Sequence, residues 1–307
     1  MNPRISIVLP VYNGARYLRE ALESCIAQTF TLWELIAVDD CSKDETPLIL
    51  AEYAARDPRI RVVRNAENRK LPGSLNIGFA EARGEYLTWT SDDNLYRPEA
   101  LAAMVSFLDE NQRVDIVYAD YALIDEQGES RAEVRVDEPA ALAYRNPVGA
   151  CFLYRRVVHE ELGGYDTALF LVEDFDFFLR ASAKFRLEPL HRVLYLAREH
   201  GGSLSSLNND RILAATAALI ERHLPQFTKL DAATRSRSSM KLALIAVHFG
   251  QSAAARAHCR AALRQNPGIL LDRKQWLVFI EAFLGKRMIS SVIAVYRRIK
   301  GCYQAVG

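Results

Sequence analysis

The sequence predicts an α/β protein whose larger part is a mostly parallel, doubly wound sheet with a mixed second half, followed by a C-terminal helical extension. Three observations predict this. Short apolar runs alternate with helix-period segments as far as Leu108, the rhythm then breaks into shorter strands and polar turns, and beyond Asn209 only helical periodicity remains.

The first run is Ile5 to Leu9, and Leu18, Ala21, Leu22, Cys25 and Ile26 follow at helical spacing. Leu35 to Val38 is the next strand, with a helix through Tyr53 behind it, and then Ile60 to Val63 and a helix around Ser74 to Ala82. The strand Tyr86 to Trp89 precedes a helix from Pro98 whose inner face is Leu101, Met104, Val105 and Leu108. Strands joined by crossover helices pair in parallel. After Val114 to Tyr118 come the turns at Asp125 to Gly128 and Asn146-Pro147, the strand Gly149 to Arg155, the turn Gly163 to Asp166, and a helix from Glu173 to Lys184. The last part shows one helical face of Ile212, Ala215, Leu219, Ile220 and His223 and another of Leu242, Ile245, Ala246 and Phe249. The reading therefore divides the chain into an α/β domain, 1–210, and a basic helical extension, 211–307.

Charge changes sign at the same place. From Arg211 onward there are 16 Lys+Arg against 4 Asp+Glu, whereas residues 1–210 hold 23 against 34, so the overall +1 conceals two oppositely charged halves. No apolar run approaches the ~20 residues of a membrane-spanning helix; Trp276 to Leu284 is short and contains Glu281. The N-terminus lacks the basic and long apolar segments of a signal peptide, which points to a cytoplasmic protein. Five scattered cysteines, never at Cys-x-x-Cys spacing, suggest neither a disulfide frame nor a zinc site.

Ligands of open α/β sheets bind beyond the carboxyl ends of the strands. There the sequence reads Pro10-Val-Tyr-Asn-Gly14, Asp39-Asp-Cys-Ser-Lys-Asp44 and Thr90-Ser-Asp-Asp-Asn94. Carboxylates so placed can accept from a base or ribose and can hold a hard divalent cation, and Tyr12 offers a ring for stacking. Each element also has an ordinary reading. Asp39-Asp40 and Asp92-Asp93 could cap the helices that follow, and Tyr12 could pack at an edge. Neither a Gly-x-Gly-x-x-Gly fingerprint nor a Walker lysine is present, which argues against dinucleotide and P-loop proteins. Downstream, Glu173-Asp-Phe-Asp176 places three acids in the first turn of a helix, where they would also suit the helix dipole.

Taken in order, Ser6-Ile-Val-Leu-Pro-Val-Tyr-Asn-Gly14, Gln28-Thr-Phe30, Trp33-Glu34, Val38-Asp-Asp-Cys-Ser-Lys-Asp-Glu-Thr46, Asn76-Ile-Gly78 and Asp92-Asp-Asn-Leu-Tyr-Arg-Pro98 resemble glycosyltransferase family 2, inverting enzymes of the GT-A fold. The resemblance runs from Ser6 to Ser206 and is closest in style to spore-coat-polysaccharide glycosyltransferases. It implies that Pro10, Tyr12 and Asp40 line a base and ribose pocket supported by Asp39 and Glu34. It also implies that Asp93 is the ligand of Mn²⁺ or Mg²⁺, with Asp92 beside it on the ribose or a metal-bound water. Two positions depart from the family pattern: Leu75 stands where arginine is common, and Thr90 where the first metal-motif acid is common.

The resemblance further makes Asp174 the catalytic base, with Glu173 and Arg180 on the acceptor or diphosphate side, either positioning this helix or touching the acceptor. Gly149 to Arg155 and Gly163 to Asp166 resemble the acceptor-side strand and turn. His200, heading Gly-Gly-Ser-Leu-Ser-Ser206, matches a loop able to close over the diphosphate, the ordinary alternative being a lone exposed histidine. The implied activity is sugar transfer from a nucleotide-sugar donor, a UDP-sugar favoured, to a saccharide or lipid-linked saccharide in cell-surface polysaccharide assembly. The rival is a catalytically silent nucleotide-sugar-binding or scaffold protein of the same fold, favoured by Thr90 and Leu75.

In the extension, Leu242 to Pro267 resembles one tetratricopeptide-type hairpin. Lys286-Arg287 and Arg297-Arg-Ile-Lys300 flank Met288, Ile289, Val292, Ile293 and Val295, a pattern that would suit an anionic membrane surface; packing on the α/β domain is the alternative. Nucleic acid is not an expected partner.

Overall fold

A computed structural model describes residues 2–226 and 230–284. The basic segment 286–307, which the sequence suggested as a membrane contact, lies outside the described residues, as does Cys302. The chain forms two compact units, one built from the residues up to Leu142 with Asn146–Ile212 and the other from Ala143–Arg145 with the residues from Leu213 onward.

The first unit opens with β1 (Ile5–Val11), α1 (Ala15–Ile26), β2 (Trp33–Asp39), α2 (Thr46–Arg56), β3 (Ile60–Arg64), α3 (Lys70–Ala80) and β4 (Tyr86–Trp89). It continues through the short β5 (Leu95–Tyr96), α4 (Ala100–Glu110), β6 (Ile116–Ile124), β7 (Ser130–Val134), β8 (Phe152–Arg155), α5 (Arg156–Leu162), α6 (Glu173–Ser182), β9 (Leu187–Arg198) and α7 (Leu204–Leu207). The nine strands make one sheet in the order β3-β2-β1-β4-β8-β6-β9-β5, with β7 on β6. β1 pairs in parallel with both β2 and β4, and β2 with β3. The second half is mixed: β8 runs antiparallel to β4 and β6, whereas β6 and β9 are parallel. This is the mixed α/β architecture that the alternating pattern predicts.

β1 and β2 are buried on both faces, which is why they read as continuous apolar runs rather than alternating ones. Leu18, Leu22 and Cys25 of α1 and Leu101, Met104 and Leu108 of α4 close the core over Ile7, Leu9 and Leu35. Several boundaries differ from the sequence reading, which also did not anticipate β9. α3 begins at Lys70, four residues before Ser74, because Pro72 and Gly73 in its first turn mask the helical pattern. The strand expected at Val114 to Tyr118 begins later and extends to Ile124 as β6.

In the second unit, α8 (Asn209–His223) leads from the first, and α9 (Ala232–His248) and α10 (Ser252–Gln265) form a helical hairpin, followed by α11 (Arg273–Leu284). Ala243, Ala246, Ala255, Cys259 and Ala262 interdigitate in the hairpin, where small side chains let the helices approach closely. Among the described residues, no helix is long and apolar enough to cross a membrane.

Candidate functional site

The strand order reverses between β1 and β4, so the carboxyl ends of β2, β1 and β4 border a switch-point crevice. Their polar residues come together there. Pro10 lies within β1 opposite Val38, and Tyr12, just past the strand, is 51% exposed, which leaves its ring open to a ligand rather than packed at an edge.

Neither acidic pair caps a helix. α2 starts at Thr46, well beyond Asp40, and Asp92-Asp93 lead into β5. Asp39 is buried and accepts from the Ser42 amide at 2.9 Å, with Arg64 Nε 3.3 Å from its other oxygen. Asp40 is equally buried; its Oδ1 accepts from Asn65 Nδ2 at 2.8 Å and from the Arg69 amide at 2.7 Å. The first two loops are stitched together by residues that the sequence reading did not single out. Ser42 Oγ accepts from the Asn13 amide at 3.0 Å, Asn13 Oδ1 from the Lys43 amide at 2.8 Å, and Asp44 Oδ2 from the Ala15 amide at 3.1 Å. Their signal was present as Asn, Ser and Asp directly after two buried strands. Asn13 and Cys41 hold positive φ of 54° and 67°, backbone strain of the kind that collects at functional sites.

Glu34 does not support this pocket. It is the second residue of β2, about 16 Å of strand from Asp39 at ~3.3 Å per residue. There its Oε1 accepts from Ser6 Oγ and the Arg83 amide, both at 2.7 Å, fastening β1 to the turn before β4. Proximity in the motif hid the length of the strand between them.

At the end of β4 the carboxylates are less well provided for. Gly14 leaves the space that Asp92 fills: a Cβ there would come 1.6 Å from Asp92 Oδ2. Burial, then the neighbouring Asp93 and then Asp44 push the Asp92 carboxyl up to about 7. Asp93 Oδ2 lies 3.0 Å from His200 Nε2, while its Oδ1 is buried with no hydrogen-bond partner. His200 is thus not a lone exposed histidine; its ring stands 5.1 Å from that of Tyr17 and its side chain is 12% exposed. Arg198, fully buried, donates from Nε to the Asp93 carbonyl at 3.0 Å and from Nη2 to Glu20 at 2.6 Å, and its amide donates to Asn94 Oδ1 at 2.8 Å. Thr90 and Leu75, the two departures from the family pattern, are core side chains, Thr90 Oγ1 lying 2.6 Å from the buried Tyr195 hydroxyl.

An unpartnered buried carboxylate oxygen is costly, and a hard cation satisfies it. Among the described residues, no three His, Cys, Asp or Glu side chains converge as a metal cage. The donor set at Asp93 therefore fits a cation that shares its coordination with a bound diphosphate and water, as Mg²⁺ commonly does.

The second acidic group sits at the start of α6. Asp174 accepts from Asn146 Nδ2 at 3.0 Å and from the Phe175 amide at 2.7 Å, yet burial raises its carboxyl. Burial, and next the charge of Asp174, push the buried Glu173 up to about 8, although its Oε2 accepts from the Leu171 amide at 2.7 Å. Leu171 itself has a φ of 85°. A helix N-terminus suits acids through its dipole, which alone would lower Glu173 and Asp174; desolvation outweighs it for both. Arg180 holds Asp176 at 2.7 Å and the carbonyls of Leu162 and Gly164 at 2.9 Å each, pinning the turn after α5 to α6, a positioning role. At that turn Gly164 has φ 79°, and a Cβ would come 2.6 Å from Asn76 Oδ1, whose own amide group binds the Tyr165 carbonyl.

Comparison with known proteins adds three findings. Residues 6–163 match the family described as Glycosyl transferase family 2. An uncharacterized glycosyltransferase of Rickettsia felis is 28% identical over 99% of this chain; the match covers 50% of that protein, so the chain spans about half the length of this relative. Among solved structures, S. aureus TarS 1-349 in complex with UDP aligns with TM-score 0.58 at 17% identity, covering 89% of this chain and 92% of that one. The mannosyltransferase PcManGT from Pyrobaculum calidifontis, in complex with GDP-Man and Mn²⁺, aligns with TM-score 0.60 at 21% identity, covering 93% and 87%.

Proposed function

The chain belongs to glycosyltransferase family 2 and has its GT-A fold, and from that premise we propose that it is an inverting, metal-dependent transferase acting on a nucleoside-diphosphate sugar. The observation that carries the reading is the buried, unpartnered Oδ1 of Asp93 at the switch point of the sheet. Solved neighbours holding UDP in one case and GDP-Man with Mn²⁺ in another support a nucleotide-sugar donor, and we favour a UDP-sugar.

In this reading Tyr12 stacks on the base, Pro10 lines its pocket, and Asp40, held rigid by Asn65 and the Arg69 amide and backed by Asp39, accepts from base or ribose. Asp92 meets the ribose or a metal-bound water. Asp93 would hold Mn²⁺ or Mg²⁺, which supplies charge neutralisation at the departing diphosphate. His200 orients Asp93 from the side where the loop could cover the diphosphate.

Asp174 takes the proton of the acceptor hydroxyl. The oxygen bonds to the anomeric carbon as the bond to the nucleoside diphosphate breaks on the opposite face, so configuration inverts. Burial makes Asp174 a stronger base than an exposed carboxylate, provided it is ionised. Glu173 stands beside it on the acceptor side, and Arg180 positions the turn that faces it.

The acceptor we propose is a saccharide or lipid-linked saccharide in cell-surface polysaccharide assembly, met in the cytoplasm at the inner face of a membrane. The silent-scaffold alternative loses its motive, since Thr90 and Leu75 serve the core and neither displaces Asp93. The test is calorimetry of nucleoside diphosphates and nucleotide sugars with Mn²⁺ and with EDTA. Tight binding that EDTA removes is the expected result; metal-independent binding, or none, overturns the reading.

A further inference from the structure

Among its described residues, the second unit carries an exposed apolar face. α11 turns Val278 and Ala282 into the core of the helical hairpin. On the opposite side Trp276, Leu277 and Phe283 are exposed, with Ile280 partly so, at the spacing of one helical face. A helix apolar on both sides is ordinarily covered on both.

The face extends into the turn before α11, where Leu270 is exposed and Leu271 is 88% exposed. Trp276 Nε1 donates to the Leu270 carbonyl at 2.6 Å, so the indole is held beside that turn with its one polar group already paired. A row of cations borders the face. Arg256, Arg260 and Arg264 follow one another at four-residue intervals on α10; the Arg260 guanidinium lies 5.7 Å from the Phe283 ring and Arg256 Nη1 3.4 Å from the Ala282 carbonyl. Glu281 is the only acid in α11, and the chain beyond Arg211 holds four times as many basic as acidic residues.

We propose that this face docks on an anionic phospholipid surface. Leucine tips and aromatic rings enter the acyl boundary to a few ångströms, while arginines at the border keep their heads among the phosphates. The proposal lies outside the donor chemistry and concerns residues other than the basic segment 286–307. It is tested without nucleotide, so its failure would leave the transferase reading untouched.

The full chain is sedimented with vesicles of phosphatidylcholine alone and of phosphatidylcholine with about a third phosphatidylglycerol. Expected are binding to the anionic vesicles only, loss at high salt, and a blue shift of tryptophan emission. The double substitution Leu271→Asp with Leu277→Asp, and separately Arg260→Glu with Arg264→Glu, should each weaken binding at least about tenfold. All four side chains are exposed, so circular dichroism and melting should match the parent. Three outcomes overturn the proposal: no sedimentation with either vesicle, binding that both double variants leave unchanged, or a concentration-dependent dimer that the leucine variant dissolves while vesicle binding is absent.

Discussion

The acidic residues at the end of β2 and those at the end of β4 share a position in the fold but differ in how their charge is provided for. Asp40 is buried with donors arranged around it, from Asn65 and the Arg69 amide, and Asp39 accepts from the Ser42 amide while its other oxygen, without a hydrogen bond, lies 3.3 Å from the Arg64 guanidinium. Asp92 and Asp93 have few: one carboxyl is raised to about 7, and the other keeps a buried oxygen unpaired. The start of α6 resembles the second case, with Asp174 and Glu173 both raised by burial. Satisfied carboxylates shape a pocket, whereas desolvated ones hold an unmet demand that a cation or a proton can fill. A ligand enters where the demand is.

The largest expected effect tests the desolvated class at its catalytic end. Asp174→Asn retains the side chain's shape but cannot accept a proton, so turnover should fall by about 10²–10⁴ with donor affinity nearly unchanged. Turnover within tenfold of the parent would show that another group takes the proton.

The next prediction sets the two pairs against each other by stability. Asp40→Ala strands the Arg69 amide and leaves Asn65 Nδ2 with Ser74 Oγ alone, and should cost about 1–3 kcal/mol in urea unfolding as well as donor affinity. Asp93→Asn keeps the side chain's shape and replaces a carboxylate whose one buried oxygen is unpartnered, so the metal-free protein should be about as stable as the parent, while Mn²⁺-dependent binding is lost. A destabilisation at Asp93 as large as that at Asp40 would erase the distinction.

A smaller effect is expected from pH. Glu173 is raised in the folded chain from an ordinary 4.5 to about 8, so its contribution is fully present below about pH 4.5 and is lost as pH rises towards 8. The melting temperature should therefore decline across that window, and Glu173→Gln should flatten the decline. An equal slope in the variant would assign the loss to other groups.

Much of this contrast can be read in the sequence only by halves. The strand-end positions of Asp39, Asp40, Asp92 and Asp93 were legible, because continuous apolar runs mark buried parallel strands and the residues after them face the crevice. Whether each carboxylate is satisfied was not legible. The partners are set by tertiary structure: Asn65 and Arg69 reach Asp40 from the loop before α3, and His200 reaches Asp93 from 107 residues away. Arg198, which holds the Asp93 carbonyl from a fully buried position, carried no local signal that separates it from a solvated surface arginine. Glu34 illustrates the converse error, since adjacency in a motif places a residue on a strand without saying which end of the site it serves.

The smallest expected effect on donor binding falls on Thr90, where the family motif often has an acid. Its hydroxyl lies in the core against Tyr195, so Thr90→Val, which leaves the buried Tyr195 hydroxyl without that partner, should cost about 1–3 kcal/mol of stability. Metal-dependent donor binding should be unchanged, because the Thr90 hydroxyl is already engaged with Tyr195. If the valine variant instead lost Mn²⁺-dependent binding while keeping its fold, the Thr90 hydroxyl would belong to the metal site, and the demand at the end of β4 would be shared rather than Asp93's own.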